Sequence, residues 1–391
     1  MKILQLTRET GSDARYGIAK SLRPVIAAMN LRGHEVSLFD QAEARKYPMG
    51  VARRRAEEVY FSYLKRRYGS GADGFVDFVR ERVDVAWAAT IHVHKTGVSH
   101  VHCHDPLLAH AFHFFSKWSS RSVRWGFVAH GFGRFVQARE GIVLPDSVAR
   151  HLQAWEFAAA RDADWVVVPS HAGLKQMSVD LGWVQTPSHW HVVPHPRPNF
   201  APTDGADVRL RFGIGDKPLV LAVGQLIPMK RFHWLIDVVA HLQAQKPHLL
   251  ILGEGPQEHP LRQLALQHGM ADRLHITSSD NMAPYLAAAD VYVSLSSTES
   301  YGMANCEALA AGRPAVCSAV GAVPEVVGNG AWLVGESKAE ISSAISHLLD
   351  SSADRALLAK RALERANTWW SPERVAVAME DVFAGVAKSA A

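Results

Sequence analysis

The segment VYVSLSSTESYGMANCEALAAGRPAVC, residues 291–317, carries the pattern that decides the fold. Its first residues, Val291–Leu295, form a short and mainly apolar run, which predicts a buried β-strand. An alanine-rich stretch with helical spacing, Asn305–Ala311, follows and stops at Gly312, because glycine commonly ends a helix. A second strand is predicted at Ala315–Ser318. A strand–helix–strand unit of this length predicts a parallel sheet whose faces are covered by helices.

The same alternation of short apolar runs and helical patterns extends outward over most of the chain. The other predicted strands are Lys2–Leu6, Glu35–Phe39, Ser99–Cys103, Arg124–Ala129, Trp165–Pro169, His191–Val193, Leu219–Val223, His248–Leu252 and Leu274–Thr277. The other predicted helices are Ile18–Leu31, Arg231–Gln243, Gln257–His268 and Met282–Ala288, with a last one after Pro372. Pro24 lies inside the first helical pattern, so we expect a kink or a later helix start there.

Prolines and glycines crowd the stretch between Val193 and Gly215, and this composition is typical of a linker. It predicts an N-terminal domain over residues 1–200 and a C-terminal domain over residues 201–370. A final helix in residues 371–391 is expected to pack back on the N-terminal domain. The fold class is therefore α/β, with two doubly wound domains that face a central cleft. Ligands of such sheets bind beyond the carboxyl ends of strands, so candidate site residues should follow strands.

Composition and cysteine spacing exclude several classes of protein. Of the 391 residues, 48% are hydrophobic and 20% are charged, which supports folded cores and disfavours disorder. No apolar run approaches the roughly 20 residues of a membrane-spanning helix, and the first residues are typical of a strand, not of a signal peptide. Cys103, Cys306 and Cys317 are far apart, which predicts neither a disulfide framework nor a zinc cluster. We therefore expect a cytoplasmic protein.

Motif searches exclude further functions. The chain contains no GxGxxG, Walker A or HExxH sequence, which disfavours a nicotinamide-dependent dehydrogenase, a P-loop NTPase and a zinc peptidase. Asp162 and Asp164 have the spacing of a metal-binding pair, but they precede a predicted strand, where ligands rarely bind. We interpret them as a polar loop and predict no metal site.

The net charge of +4 is divided unevenly along the chain. Residues 1–200 contain 26 Lys and Arg against 18 Asp and Glu, a net charge of +8, and residues 201–391 contain 16 against 20, a net charge of −4. A basic and aromatic stretch in residues 45–68 holds eight cations, which suits an anionic membrane surface. A solvated helix face is an equally good interpretation. No recognised motif supports binding to nucleic acid.

The residues after the predicted strand Val291–Leu295 have the chemistry of a nucleotide-sugar site. The first-turn N–H groups at Gly302–Asn305 would attract a phosphate. Glu299 and Glu307 would accept hydrogen bonds from hydroxyl groups, although a capping acid and a solvated acid fit these two positions equally well when taken alone. Lys230, with Arg231 beside it, follows a glycine turn and suits a diphosphate.

This succession of motifs resembles the donor domain of the retaining glycosyltransferases of family 4, which have the GT-B fold with two Rossmann-like domains. The matching segments are Gly224–Lys230, Gly253–Pro256, Ala287–Val293, Glu299 to Glu307 with seven residues between them, Ala311–Val316 and Gly321–Val327. The first half is similar to the acceptor domain more loosely, at Tyr16-Gly17, at His104 and at His130-Gly131. Gln225 stands where the family usually has an arginine, and Pro194-His195 replaces its common Pro-Asn-Gly.

The resemblance implies roles for individual residues. His130, Glu299 and Lys230 are the predicted catalytic residues: Lys230 neutralises the donor diphosphate, Glu299 holds the transferred sugar and His130 contacts it near the reacting bond. Glu307 is expected to bind the ribose hydroxyls. The predicted donor-binding residues are Gly17, Gly224, Lys230, Arg231, Gly253, Thr277, Ser278, Glu299, Gly302, Met303, Ala304 and Glu307.

The implied function is a metal-independent, retaining transfer of a hexose from a UDP- or GDP-sugar to a hydroxyl of a glycan or a lipid-linked saccharide, with no cofactor. The enzyme would be cytoplasmic, with peripheral binding to the inner face of the membrane as a further hypothesis. The alternatives are a sugar-nucleotide epimerase of the same architecture and a non-catalytic nucleotide-sugar-binding protein. An epimerase would consume its donor without an acceptor.

Overall fold

The computed structural model describes residues 1–8, 18–68, 73–118, 122–130, 146–199 and 203–385. The chain forms two compact units. The first consists of the chain up to His195 together with the segment that starts at Ser371, and the second is Pro196–Trp370. The first unit thus ends five residues before the boundary predicted at residue 200. No helix of the described ranges has the length and hydrophobicity needed to cross a membrane.

The first unit contains a parallel sheet with the strand order β2-β1-β3-β4-β5-β6. Its strands are β1 (Lys2–Leu6), β2 (Glu35–Phe39), β3 (His100–Cys103), β4 (Arg124–Val128), β5 (Trp165–Val168) and β6 (Trp190–Val192). Its helices before residue 195 are α1 (Ile18–Leu31), α2 (Gln41–Ala44), α3 (Val51–Tyr68), α4 (Asp73–Thr96), α5 (Pro106–Ser116), α6 (Asp146–Asp162) and α7 (His171–Asp180).

The second unit contains a parallel sheet with the strand order β12-β11-β10-β7-β8-β9. Its strands are β7 (Leu219–Val223), β8 (His248–Leu252), β9 (Leu274–Thr277), β10 (Val291–Ser294), β11 (Ala315–Ser318) and β12 (Trp332–Val334). Its α-helices are α8 (Ala206–Arg211), α9 (Phe232–His241), α10 (Glu258–Gln267), α11 (Ala283–Ala288), α12 (Met303–Ala310), α13 (Val323–Val327), α14 (Lys338–Asp350) and α15 (Ser352–Asn367). Two short 3-10 helices are Pro228–Lys230 and Gly328–Gly330, and α16 (Pro372–Ala384) follows.

The two all-parallel sheets confirm the predicted α/β architecture. Leu219–Leu221 and Leu249–Ile251 are fully buried over consecutive residues, because helices cover both faces of a doubly wound sheet. The continuous apolar runs of the sequence are the direct signature of this double burial. The three cysteines are buried and unpaired.

Two helix boundaries differ from the predicted ones for conformational reasons. Helix α12 begins at Met303, two residues before the predicted start, because Gly302 adopts φ +86° and forms its N-cap. Helix α9 begins at Phe232 because Arg231 has the left-handed φ of 51°. Helix α1 begins at Ile18 and continues past Pro24, so the later start considered at that proline is wrong. Pro24 is on the exposed face of this helix.

The last helix, α16, packs within the first unit. Phe383 is fully buried, with its ring centroid 4.9 Å from that of Trp165 and 5.5 Å from that of His102. Glu380 accepts hydrogen bonds from the guanidinium of Arg32 at 2.5 and 2.8 Å. Arg124 Nη1 donates to the Phe383 carbonyl oxygen at 2.6 Å. The aromatic contact and the Arg124 hydrogen bond therefore hold α16 against the sheet that carries β3, β4 and β5, and the Arg32–Glu380 pair joins α16 to the end of α1.

Phe383→Ala should lower the free energy of unfolding of the first unit by about 3–5 kcal/mol, because it removes a fully buried ring from the contact with Trp165. Urea unfolding measures this loss. Val377→Ala is the matched control on the same helix, since Val377 is 39% exposed and its loss should cost far less. Equal destabilisation by the two variants would contradict this account of α16.

The free energy of unfolding of the first unit should fall as the pH drops below about 6.5. Burial lowers the pKa of His102 to about 3, with nearby His130 adding to the shift, and burial also holds the pKa of His104 well below its usual value. The unfolded chain binds a proton on each ring near pH 6.5 and the folded chain does not, so each ring costs about 1.4 kcal/mol per pH unit between these values. The destabilisation caused by these two rings is therefore absent above pH 6.5 and grows as the pH falls below that value.

Urea midpoints measured at pH 7, 6 and 5 give this slope. His102→Gln, whose side chain can still accept from Trp165 Nε1, should lower this slope by the contribution of about one proton. His94→Gln is the control, because this ring is exposed and solvated in both states. A slope in His102→Gln equal to that of the wild type would refute the assignment.

Candidate active site

The loops that follow β7 and β8 in the second unit touch through backbone alone. A Cβ atom at Gly253 would lie 1.9 Å from the carbonyl oxygen of Gly224, and one at Gly255 would lie 2.7 Å from that of Leu226. Leu226 N–H donates to the carbonyl oxygen of Glu254 at 2.8 Å, which joins the loops. Loop packing by itself therefore requires glycine at 253, and contact of Gly253 with a donor stays a prediction.

Lys230 ends the 3-10 helix Pro228–Lys230, which follows β7. Its aliphatic chain passes over Gly224, where an added Cβ would lie 3.4 Å from Lys230 Cε. Gly224 has a φ of +152°, a conformation that other residues rarely adopt. The glycine turn thus supplies both the backbone conformation and the space that bring the ammonium group to the carboxyl edge of the sheet.

Lys230 and Glu299, two of the predicted catalytic residues, contact each other directly. Lys230 Nζ donates to Glu299 Oε2 at 2.7 Å, and Ser296 Oγ donates to the same oxygen at 3.3 Å. The lysine and glutamate side chains are only 20% and 12% exposed. Partial burial strengthens such a pair relative to an exposed one. The structure therefore holds this cation against a carboxylate, and an incoming anion has to share or replace that carboxylate.

The Glu299 loop is fixed from two sides. Ala322 N–H donates to the carbonyl oxygen of Glu299 at 3.0 Å. Gly321 has a φ of +53°, and a Cβ added there would lie 2.2 Å from the same oxygen. Ser297 N–H donates to the carbonyl oxygen of Met229 at 2.9 Å, which ties the loop to the 3-10 helix of Lys230. Backbone contacts thus set the distance between the two charged groups.

The N-terminus of α12 follows this loop and has the properties of an anion site. Gly302 is its N-cap, and in the described part of the chain no side chain caps the helix and no acid lies in its first turn. Gly302 is buried, whereas Met303 and Ala304 are half-buried. The first N–H groups of a helix point outward with the positive end of the dipole. The three predicted residues therefore form one end of a single helix.

Asn305 is a candidate site residue that the sequence analysis did not single out. Its side chain is 1% exposed, and Oδ1 accepts from the hydroxyl of Tyr292 at 2.9 Å. Within the described residues, Nδ2 has no hydrogen-bond partner. A Cβ added at Gly302 would lie 2.8 Å from this nitrogen, so the amide N–H group of Asn305 lies at the helix N-terminus. A polar side chain in an otherwise alanine-rich helix was the available signal.

The remaining donor-site predictions are spread over the same edge of the second unit. Thr277 and Ser278 are half-buried at the carboxyl end of β9, and Glu307 is half-buried inside α12. The guanidinium of Arg231 is directed to a different carboxylate from that of Lys230. It pairs with Glu336 at 2.7 Å and lies 4.7 Å from the ring centroid of Trp234. Its predicted contact with a diphosphate would require it to leave that pair.

In the first unit, His130 follows β4 and belongs to a hydrogen-bonded chain. Its Nε2 lies 3.0 Å from Nδ1 of His104, and His104 Nε2 lies 2.8 Å from Oε1 of Gln5. The amide oxygen only accepts and burial keeps the pKa of His104 low, so neutral His104 donates to Gln5 and accepts from His130. His195 stacks on His130 at 5.2 Å between centroids. This chain fixes the tautomer and the orientation of His130.

Asp162 and Asp164, the pair with metal-binding spacing, accept hydrogen bonds from other residues of the first unit. Asp162 accepts from Arg161 at 2.6 Å, and Asp164 accepts from Trp125 N–H at 2.8 Å. Across the described ranges, no group of three or more metal-ligating side chains is placed to hold a metal ion. Gly17 and the adjoining Tyr16, which were predicted to face the donor, lie outside the described residues.

Comparison with known sequences identifies the second unit. Residues 209–365 match the family described as "Glycosyl transferases group 1". A relative from Rhizobium meliloti (strain 1021), named lipopolysaccharide core biosynthesis glycosyltransferase LpsE, is 37% identical over 102 residues, which cover 26% of this chain and 29% of the relative. The chain spans less than half the length of the first curated relatives that it matches, at 29%, 49% and 43%.

Solved structures resemble the chain over nearly its whole length. Sucrose-phosphate synthase from Thermosynechococcus elongatus superimposes with a TM-score of 0.75 at 20% identity, covering 99% of both chains. HepE from Anabaena, solved in complex with UDP-glucose, gives a TM-score of 0.70 at 16% identity and covers 98% of this chain and 100% of its own. At these identities the likeness establishes the fold. Residues 209–365 are therefore similar to the glycosyl transferases group 1 family, and the fold of the chain is GT-B.

Proposed function

We propose that this protein is a glycosyltransferase that moves a hexose from a nucleoside diphosphate sugar to an acceptor hydroxyl. The observation that carries the proposal is the Lys230–Glu299 pair, held at 2.7 Å beside the N-terminus of α12. A cation, helix N–H groups and a carboxylate together suit a ligand that combines phosphate with hydroxyl groups. The match of residues 209–365 to the glycosyl transferases group 1 family supports the same chemistry.

The leaving group sets the electrostatic demand. When the anomeric carbon–oxygen bond breaks, its electron pair moves onto the diphosphate, and negative charge grows there. Lys230 and the N–H groups at Gly302–Ala304 would stabilise that charge, as preorganised donors do in other enzymes. Because these groups supply the positive charge, we propose that the reaction needs neither a metal ion nor another cofactor.

The sugar would be held by the carboxylates. We assign Glu299 to the transferred hexose, Glu307 to the ribose, and His130, with the tautomer set by His104, to the sugar near the reacting bond. The acceptor oxygen would form its bond on the face from which the diphosphate leaves and pass its proton to a diphosphate oxygen. Attack from that face retains the configuration, as in family 4.

The donor base and the acceptor are assigned by analogy. A structural neighbour was solved with UDP-glucose, and a relative from Mycobacterium tuberculosis is named as a GDP-mannose-dependent mannosyltransferase, so both a UDP-sugar and a GDP-sugar are candidate donors. A relative named for lipopolysaccharide core biosynthesis favours a glycan or lipid-linked saccharide as the acceptor. We place the enzyme in the cytoplasm, where the basic stretch of residues 45–68 would meet the inner face of a membrane.

Glu299→Gln should lower kcat/KM for transfer at least about 100-fold, because the hexose loses its charged acceptor and Lys230 its partner. Lys230→Met should weaken UDP binding about tenfold or more, as read by calorimetric titration with UDP and GDP. Lys338→Met is the matched control, since Lys338 pairs with Asp237 on the surface of the same unit and should leave both quantities unchanged.

Transfer at the wild-type rate by Glu299→Gln would refute the site assignment. Donor turnover without an acceptor and without hydrolysis would favour the epimerase. Tight UDP binding with no turnover against a panel of saccharide acceptors would favour a non-catalytic binding protein.

The basic stretch should bind anionic vesicles at low salt. Arg54 and Arg55 are exposed on α3, and a double change of both to glutamate reverses the charge of this face. Sedimentation with phosphatidylglycerol vesicles should fall several-fold in this variant and with rising salt, because the attraction is electrostatic. Arg361→Glu on the exposed face of α15 is the control. Equal binding to neutral and anionic vesicles would exclude this membrane role.

A further inference from the structure

The first unit contains a cavity of about 770 Å³ that the proposed chemistry does not use. Helices α3, α4, α5 and α6 supply its walls, which include Phe61, Val83, Leu107, Ala111 and Trp155. Its volume falls inside the range of roughly 300–1,000 Å³ that is typical of small-molecule sites. The cavity is therefore large enough for a substantial ligand.

The lining of this cavity is apolar, and its rim carries exposed rings. Phe61 and Leu107 are 1% and 6% exposed in the interior. Tyr60, Phe114 and Trp118, which also line it, are 46%, 55% and 82% exposed. Large apolar side chains that are exposed beside a concave surface mark an interaction site, and ligand-binding grooves are one such site. The occupant should therefore have a long apolar part.

The charged groups of the wall are already committed or shielded. Arg82 is 2% exposed, donates to Asp105 at 2.8 Å and lies 3.4 Å from the ring centroid of Phe78. Burial raises the pKa of Glu57, which disfavours its charged form. Outside the cavity, the helices that carry the rim present exposed cations, including Arg54 on α3 and Lys117 beside Trp118. Lys117 adjoins the rim residue Trp118 in the chain, so an anionic end group would be attracted to that side of the mouth, with an apolar chain within.

One wall residue of the cavity, Arg82, is hydrogen-bonded to Asp105 at the strand end that carries His104. Asp105 follows His104 directly and caps α5, accepting from the N–H groups of Leu107 and Leu108 at 2.8 and 2.9 Å. The same carboxylate holds Arg82, another wall residue. Asp105 thus links the wall of the cavity to His104, the residue that orients His130.

We propose that this cavity binds the hydrocarbon chain of the acceptor, and that the acceptor is a lipid whose anionic linking group stays at the cavity mouth. The assignment rests on the proposed transferase function and specifies its acceptor as a single-chain or prenyl-type lipid. Charge complementarity with the exposed cations and the apolar lining both favour this occupant over a free glycan.

Dodecyl phosphate, which joins an alkyl chain to an anionic group, is the probe. Isothermal titration below its micellar concentration should show saturable binding to the full chain. Butyl phosphate, with the same head group and a short chain, should bind at least tenfold more weakly. Equal affinity for both compounds, or no binding of dodecyl phosphate, would overturn the proposal.

Two cavity-filling variants locate the binding. Ala111→Trp on α5 and Val83→Trp on α4 place an indole in the cavity from different walls, so a folding failure of one leaves the other. Each should weaken dodecyl phosphate binding at least tenfold. Ala42→Trp, which adds the same group on the exposed face of α2, should bind like the wild type. Undiminished binding by both filled variants would place the ligand elsewhere and refute the site.

Two further measurements on the wild type and the same variants, UDP binding and vesicle sedimentation, separate the competing explanations. UDP binding reports on the second unit. Its absence in the wild type and in every variant would contradict the transferase assignment, whereas the dodecyl phosphate result for the cavity would still stand. Sedimentation with phosphatidylglycerol vesicles should be unchanged in Ala111→Trp, because that contact depends on exposed cations. Parallel loss of vesicle and dodecyl phosphate binding would show that the cavity takes a membrane lipid, and would reject the acceptor.

Discussion

Direct contact between backbone segments at the carboxyl edge of the second sheet is the constraint on which the candidate site depends. The carbonyl oxygen of Gly224 lies where a Cβ of residue 253 would be, and that of Glu299 lies where a Cβ of residue 321 would be. A side chain at residue 253 or 321 would overlap these oxygen atoms, so both positions require glycine. Hydrogen bonds along the same loops then fix the positions of Lys230 and Glu299, so a two-charge site is built on rigid backbone.

The same arrangement provides positive charge for the proposed anionic donor within an acidic domain. The net charge of residues 201–391 is −4, yet the site combines the ammonium of Lys230 with the N-terminus of α12. Local dipoles and one partly buried cation act over a few ångströms, where screening by solvent is weak. The carboxylate of Glu299 keeps Lys230 in place, which lowers the cost of ordering that side chain when a ligand arrives.

The first unit divides its work differently. Buried rings, including His102, Trp165 and Phe383, anchor the last helix to the sheet, and the chain from Gln5 through His104 sets the orientation of His130. On its helical side the same unit exposes cations and aromatic rings around an apolar cavity. Polar contacts at the strand ends and an apolar surface on the helical side suit the acceptor binding that we propose for this unit.

The sequence by itself determined the alternation of strands and helices and all the described strands except β12, because continuous apolar strands are local patterns that burial on both faces imposes. It did not predict β12 or several helices, among them α4 and α14. It also determined the candidate donor residues, since Glu299, Gly302 and Lys230 follow strands. Only the tertiary structure decided that Lys230 and Glu299 pair, that Arg231 turns to Glu336, that Asn305 Nδ2 is buried, and that four helices enclose a cavity. These facts depend on side chains far apart in the chain meeting at one place, and no local pattern of residues encodes such a distance.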